Sequence, residues 1–261
     1  MSVPLHILNP DASSPWVVTC DHASNRVPPE INGGDLGLPG SDMERHIAYD
    51  VGAAGLARHL AGLMDAAAAF SDFSRLVIDP NRDEDDPTLL MKLYDGTIIP
   101  ANRHADTTER ERRLKLYYRP YHTALERLLS ARADPAICSI HSFTPQLRGR
   151  PPRPWEVGVL FADDRRLADP LIARLQRETD FCVGVNEPYG GHLPGDSMDR
   201  HGLQHGRLHV LIEVRNDLIS DEDGQRNWAG ILAPLLTAAL ADISAGKDRP
   251  RAMANNAARE T

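Results

Sequence analysis

What most constrains the fold is a series of short, unbroken apolar runs: residues 16–20, 67–70, 76–79, 136–140, 157–161, 182–185 and 209–214. A run of four to six apolar residues without polar alternation suits a strand covered on both faces. Helical patterns lie between the runs. Ile47, Val51, Ala54, Leu56, Leu60 and Leu63 form one apolar stripe. Residues 108–132 form a longer charged helix, with Pro120 expected to kink or break it because proline lacks the amide hydrogen. Residues 168–177 and 227–243 complete the set. Alternating strand and helix predicts a three-layer α/β/α fold with a mostly parallel or mixed central sheet. We expect a single domain over residues 1–245 and a polar, disordered tail over residues 246–261.

The balance of charge narrows the partners. The 261 residues carry a net charge of −8, which argues against nucleic acid, a partner that favours a basic face. A small anionic substrate is still compatible, because a few local arginines override a global field. By this reading no stretch approaches the roughly 18–20 apolar residues of a membrane span. The N-terminus lacks a signal-peptide pattern. Cys20, Cys138 and Cys182 are odd in number, widely spaced and set in apolar runs, so neither a disulfide framework nor a cysteine zinc site is expected. These features predict a cytoplasmic protein acting on a small molecule, with a homo-oligomer left open.

Ligands in open α/β sheets bind outside the carboxyl ends of the strands, and several polar phrases fall there. His22 follows the run 16–20, and His141 ends the run 136–140. Each alone could be a loop histidine bonded to a neighbouring serine or asparagine. Two histidines in equivalent positions point to a metal, and a zinc centre takes three protein ligands plus water. For the third ligand we take Glu44, with Asn25, His46 and Asp50 as alternatives, although Ser41-Asp42-Met43-Glu44 also reads as a helix capping box. Glu213 closes an apolar strand, where a carboxylate is costly unless it faces a cleft or is paired. It is the candidate general base, with an ion pair to Arg215 or Arg200 as the structural alternative. Asn81 and Arg82 suit a substrate carboxylate or a developing oxyanion. Arg82 could instead pair with the acidic run Asp83-Glu84-Asp85-Asp86. Arg200, His201 and Arg215 are further candidates for substrate contact. There is no GxSxG sequence to support a serine nucleophile.

These phrases resemble the N-formylglutamate amidohydrolase family. The likeness is carried by His22 and Ser24, Glu44-Arg45-His46 with Tyr49-Asp50, Ser74 through Arg82, Ile140-His141-Ser142, Arg200-His201-Gly202 and Glu213. The phrases are also similar to the wider zinc carboxypeptidase-like superfamily, although Asn25 stands where that superfamily has a glutamate. The resemblance implies a zinc-peptidase-like α/β/α fold, one zinc ion, and hydrolysis of an N-acyl amide on a small amino acid such as N-formyl-L-glutamate. The alternatives are a deacylase, carboxypeptidase or esterase acting on another N-acyl compound, or an inactive metal- or ligand-binding module.

Overall fold

The computed structural model describes residues 4–191 and 193–247. In chain order the strands are β1 (Leu5–Leu8), β2 (Trp16–Cys20), β3 (Ala67–Ser71), β4 (Leu93–Tyr94), β5 (Thr97–Ile98), β6 (Ala136–Phe143), β7 (Val157–Leu160), β8 (Val183–Val185) and β9 (Leu208–Arg215). The α-helices are α1 (Gly40–Met43), α2 (Ala53–Leu63), α3 (Thr107–Arg113), α4 (Arg119–Ser130), α5 (Ala168–Glu178), α6 (Ser197–His201) and α7 (Glu222–Lys247). Seven strands form one mixed sheet in the order β1-β3-β2-β6-β9-β7-β8, and β4 and β5 form a small hairpin apart from it. The four central strands β3, β2, β6 and β9 run parallel, while β1 and β7 pair antiparallel to their inner neighbours.

Strand parity separates two apolar layers. Even-numbered residues of β6 and β9 (Cys138, Ile140, Val210, Ile212, Val214) bury against a cluster with α2, α5 and α7. Odd-numbered Ile137 and Leu211 bury with Tyr117, Tyr121 and Leu125, on the side of α3 and α4. Successive side chains of a strand point to opposite faces, so Ser139, His141 and Glu213 fall on the α3–α4 side. Helix α7 is long and apolar enough to cross a membrane by length and composition, contrary to the sequence expectation. Its Trp228, Leu232 and Leu236 pack into the cluster with α2 and α5.

The three-layer α/β/α architecture matches the sequence reading, with local corrections. Residues 76–79 are not a strand, and a turn spans residues 75–77: Val77 N donates to Ser74 O at 2.8 Å and Leu76 N donates to Ser74 Oγ at 3.2 Å. The apolar stripe from Ile47 is not one helix, because α2 begins only at Ala53. Gly52 precedes it at φ 80°, where a Cβ would lie 2.0 Å from the Ile219 carbonyl oxygen, so only glycine fits this break. Cys182 is exposed rather than set in a strand.

Pro120 does not break its helix. The turn before it widens into a π-helical segment, Leu114–Tyr118, with Arg119 N bonding to Leu114 O, so α3 and α4 run on through it. The short strand β1 was not expected from the sequence. Residues 246–247 end α7, and the rest of the tail lies outside the described residues.

Candidate metal and hydrolytic centre

At the carboxyl ends of β2 and β6, His22, Asp50 and His141 are all buried and bring one ligand atom each to within 4.8 Å of one another. Asp50 Oδ2 lies 3.2 Å from His22 Nδ1 and 2.8 Å from His141 Nδ1. The two rings meet edge to face with centroids 5.0 Å apart. The chain delivers Asp50 through the break at Gly52: Asp50 N donates to His22 O at 3.0 Å, and Ala53 N donates to Asp50 O at 3.1 Å.

The far side of each ring is also engaged. His22 Nε2 lies 2.7 Å from Asp79 Oδ1. Burial alone would raise the Asp79 carboxyl, but the Arg75 guanidinium and His22 outweigh it and hold it well below the usual range. An ionised carboxylate only accepts, so His22 Nε2 carries the hydrogen and Nδ1 is the nitrogen facing the centre. His141 Nε2 contacts Ser139 Oγ at 3.1 Å and lies 3.5 Å from Asp21 Oδ2, an ion-pair distance. Burial pushes Asp21 up, and His141, with Tyr121 and His22, outweighs it and holds the carboxyl at about 2. Carboxylates behind the imidazoles fix their orientation, the arrangement by which metal-binding histidines are tuned. Two imidazoles and a carboxylate converging in this way fit one divalent cation.

Glu213 stands beside His141 in the β6–β9 register. Its side chain is buried, and Oε2 has no hydrogen-bond partner among the described residues. Burial, reinforced by the charge of Asp50 and opposed by His141 and His22, lifts its carboxyl to about 7. An acid poised near neutrality at a cleft is suited to proton transfer. The centre opens into a cavity of about 450 Å³ that is also lined by Arg75, Asn81, Arg82, Tyr94 and Tyr189. Asn81 Oδ1 accepts from Ser197 N at 3.1 Å. Arg82 bonds Thr88 Oγ1 and its neighbour's carbonyl and forms no ion pair among the described residues. The acidic run that stood as its alternative partner is taken by other arginines: Arg119 holds Glu84, Arg110 lies near Asp85, and Arg200 lies near Asp83.

Four expected residues lie elsewhere. Glu44 caps the end of α1, exposed, and accepts from Asn25 Nδ2 at 3.1 Å and Tyr49 OH at 3.3 Å; Asp50 occupies the place expected for it. The expected capping box is absent too, since the N-cap is Pro39. Arg200 stacks over Tyr118 and donates to its hydroxyl at 3.0 Å. His201 is buried between His122 and Glu126. Arg215, at the end of β9, turns to Asp217 at 2.8 Å. None of these four lines the cavity. Arg75 carries no motif of its own in the sequence beyond its place in the stretch from Ser74 to Arg82. The four-residue step between Arg75 and Asp79 was its one local signal, since the two form an ion pair at 2.7 Å.

Fold and centre together place a candidate metal site and a carboxyl suited to proton transfer on a three-layer α/β scaffold. The sequence matches the N-formylglutamate amidohydrolase family over residues 14–220. The chain belongs to that family and is an amidohydrolase. The structure is similar to that of a gene product, Atu2144, from Agrobacterium tumefaciens, with TM-score 0.88 and 34% identity, covering 93% of this chain and 97% of that one. It also resembles N-formylglutamate amidohydrolase from Ralstonia eutropha JMP134 in fold, with TM-score 0.64 and 21% identity, covering 94% of this chain and 100% of that one. A search of curated proteins finds no match.

Proposed function

We propose that the chain hydrolyses the N-acyl amide of a small amino acid, an N-formyl amino acid such as N-formyl-L-glutamate being the family's form, at a divalent-metal centre held by His22, Asp50 and His141. The observation that carries this reading is the convergence of those three side chains beside Glu213, whose Oε2 has no hydrogen-bond partner among the described residues. A bound zinc ion would supply a Lewis acid that lowers the pKa of water and polarises the acyl oxygen.

Glu213 accepts the proton of the attacking water and returns it to the leaving nitrogen, a task matched to a carboxyl near neutrality. Arg82, which forms no ion pair among the described residues, pairs with the substrate carboxylate or the developing oxyanion. Asn81 has its oxygen occupied by Ser197, so its amide hydrogens are the group it offers the substrate. Arg75 and Asp79 hold the His22 ring and need no contact with substrate.

The test is formate release from N-formyl-L-amino acids by the zinc-loaded chain, repeated after chelation. Release that is lost on chelation and restored by zinc is expected. Undiminished release from a metal-stripped chain would overturn the metal centre, and no release from any N-acyl amino acid would overturn the activity.

A further inference from the structure

The sequence singles out Arg200 and His201, yet neither lines the cavity. Both belong instead to a network that ends on the segment carrying Asn81 and Arg82. Residues 80–82 form a turn and a bend outside the sheet. No strand ladder fixes them, so side chains must hold their polar groups. Three acceptors of this short segment are held, from two directions. From α6, Ser197 N donates to Asn81 Oδ1 at 3.1 Å and Ser197 Oγ donates to the Pro80 carbonyl at 3.4 Å. From between α3 and α4, Tyr118 OH donates to the Arg82 carbonyl at 2.6 Å.

The two directions meet at Tyr118, which is fully buried. A phenol has one hydrogen, and here it goes to the Arg82 carbonyl. Burial raises the Tyr118 hydroxyl above its ordinary range, against the pull of Arg200, so it stays a donor. Arg200 Nη2 donates to the phenol oxygen at 3.0 Å, and the guanidinium lies 5.4 Å over the ring centroid. A cation on that oxygen polarises the hydroxyl and strengthens the bond it donates. Arg200 also lies 3.9 Å from Asp83, the residue after Arg82, so it braces the segment at two points. His122, one helical turn beyond Tyr118, packs its ring edge to face against the phenol at 4.3 Å. Its Nδ1 lies 2.9 Å from His201 Nε2, and His201 Nδ1 lies 3.1 Å from Glu126 Oε2. Arg207 closes the network on Glu126 with bonds of 2.6 and 2.9 Å. The π-helical segment ends at Tyr118, and such widened turns recur at functional sites.

We infer that Arg200 and Tyr118 are positioning residues for substrate binding: through the Arg82 carbonyl they fix the Asn81–Arg82 segment so that its side chains meet the substrate, while His122 and His201 brace the Tyr118 ring. The inference rests on the amidohydrolase reading above, in which Arg82 pairs with the substrate.

A double-mutant cycle on the zinc-loaded chain tests this, with N-formyl-L-glutamate as substrate. Tyr118→Phe and Arg200→Met should each lower kcat/KM about tenfold, the scale of one charge-assisted hydrogen bond, with zinc content unchanged. Arg200→Lys keeps a cation able to donate to the phenol and should stay within about threefold of wild type. In an Arg82→Ala background, Tyr118→Phe and Arg200→Met should each cost no more than about twofold further, because residues acting through one group do not add. A loss carried by KM marks Arg82 as a carboxylate anchor and one carried by kcat marks it as oxyanion support; both support the positioning role. Losses as large without Arg82 as with it, or wild-type rates for Tyr118→Phe and Arg200→Met, would overturn that role and leave the amidohydrolase reading intact. Arg82→Ala at the wild-type rate would do the same. If the wild-type chain releases no formate, the amidohydrolase reading fails. In that event, or if Arg82→Ala is too slow to measure, the cycle is read in calorimetric affinity for N-formyl-L-glutamate. Coupled losses then support the positioning role, and additive losses or no binding refute it.

Discussion

Replacing Glu213 with glutamine keeps the shape of the side chain and removes its ability to take a proton. Its carboxyl is buried, Oε2 has no partner among the described residues, and burial lifts its pKa to about 7. General acid–base catalysis contributes roughly 10²–10⁴-fold, so kcat should fall by that factor while zinc stoichiometry is unchanged. A stability effect of opposite sign should accompany it. A carboxyl whose folded pKa lies above its unfolded value binds more protons folded than unfolded, so its ionisation destabilises the fold as pH rises through that window. The rise from the ordinary 4.5 to about 7 corresponds to at most about 3 kcal/mol. Metal-free Glu213→Gln should therefore match wild type below about pH 4.5 and exceed it by up to that amount above pH 7, read by denaturant unfolding across pH. A variant that turns over at the wild-type rate, or a metal-free variant less stable than wild type at pH 8, would refute the placement of this carboxyl.

Three further outcomes follow from the centre. Asp50→Ala should lose stoichiometric zinc while Glu44→Ala keeps it, as measured by metal analysis after dialysis; the reverse pattern would restore Glu44 as the ligand. Asp79→Asn, which weakens the acceptor behind His22, should lower zinc affinity about 10–100-fold in competition with a chromophoric chelator, and unchanged affinity would remove Asp79 from the centre. Burial would lower the pKa of His141, but Asp21, Asp50 and Glu213 outweigh it and hold the metal-free ring protonated well above its usual range. Zinc binding at pH 7 should therefore release about one proton, read by calorimetry in buffers of different ionisation enthalpy, and no release would contradict it.

The sheet was legible because its central strands are continuous apolar runs, a pattern demanded by cover on both faces. The run at residues 76–79 carried the same signal and proved to lie in a buried turn and the residues just after it, since periodicity does not distinguish a strand from an apolar turn lying under a loop. β1 is four residues long and only partly buried at the sheet edge, which leaves little pattern to read. At the centre, His22, His141 and Glu213 stood out because a polar residue at the end of an apolar run is costly without a purpose. Asp50 was harder to select. The stripe from Ile47 looked like one helix, and the glycine that breaks it is explained only by its contact with Ile219, far along the chain. Arg200 and His201 found partners in Tyr118 and Glu126, distant in sequence and without a local signature, whereas Arg215 turned to Asp217, only two residues on, a local pairing the sequence reading did not weigh.

The most direct measurement is a crystal structure of the zinc-loaded chain with anomalous scattering recorded at the zinc edge. One ion within about 2.0–2.2 Å of His22, Asp50 and His141, with Glu213 close by but not bound, is the expected result. A zinc ion held by other residues, or none at full occupancy beside those three, would contradict the proposed hydrolytic centre.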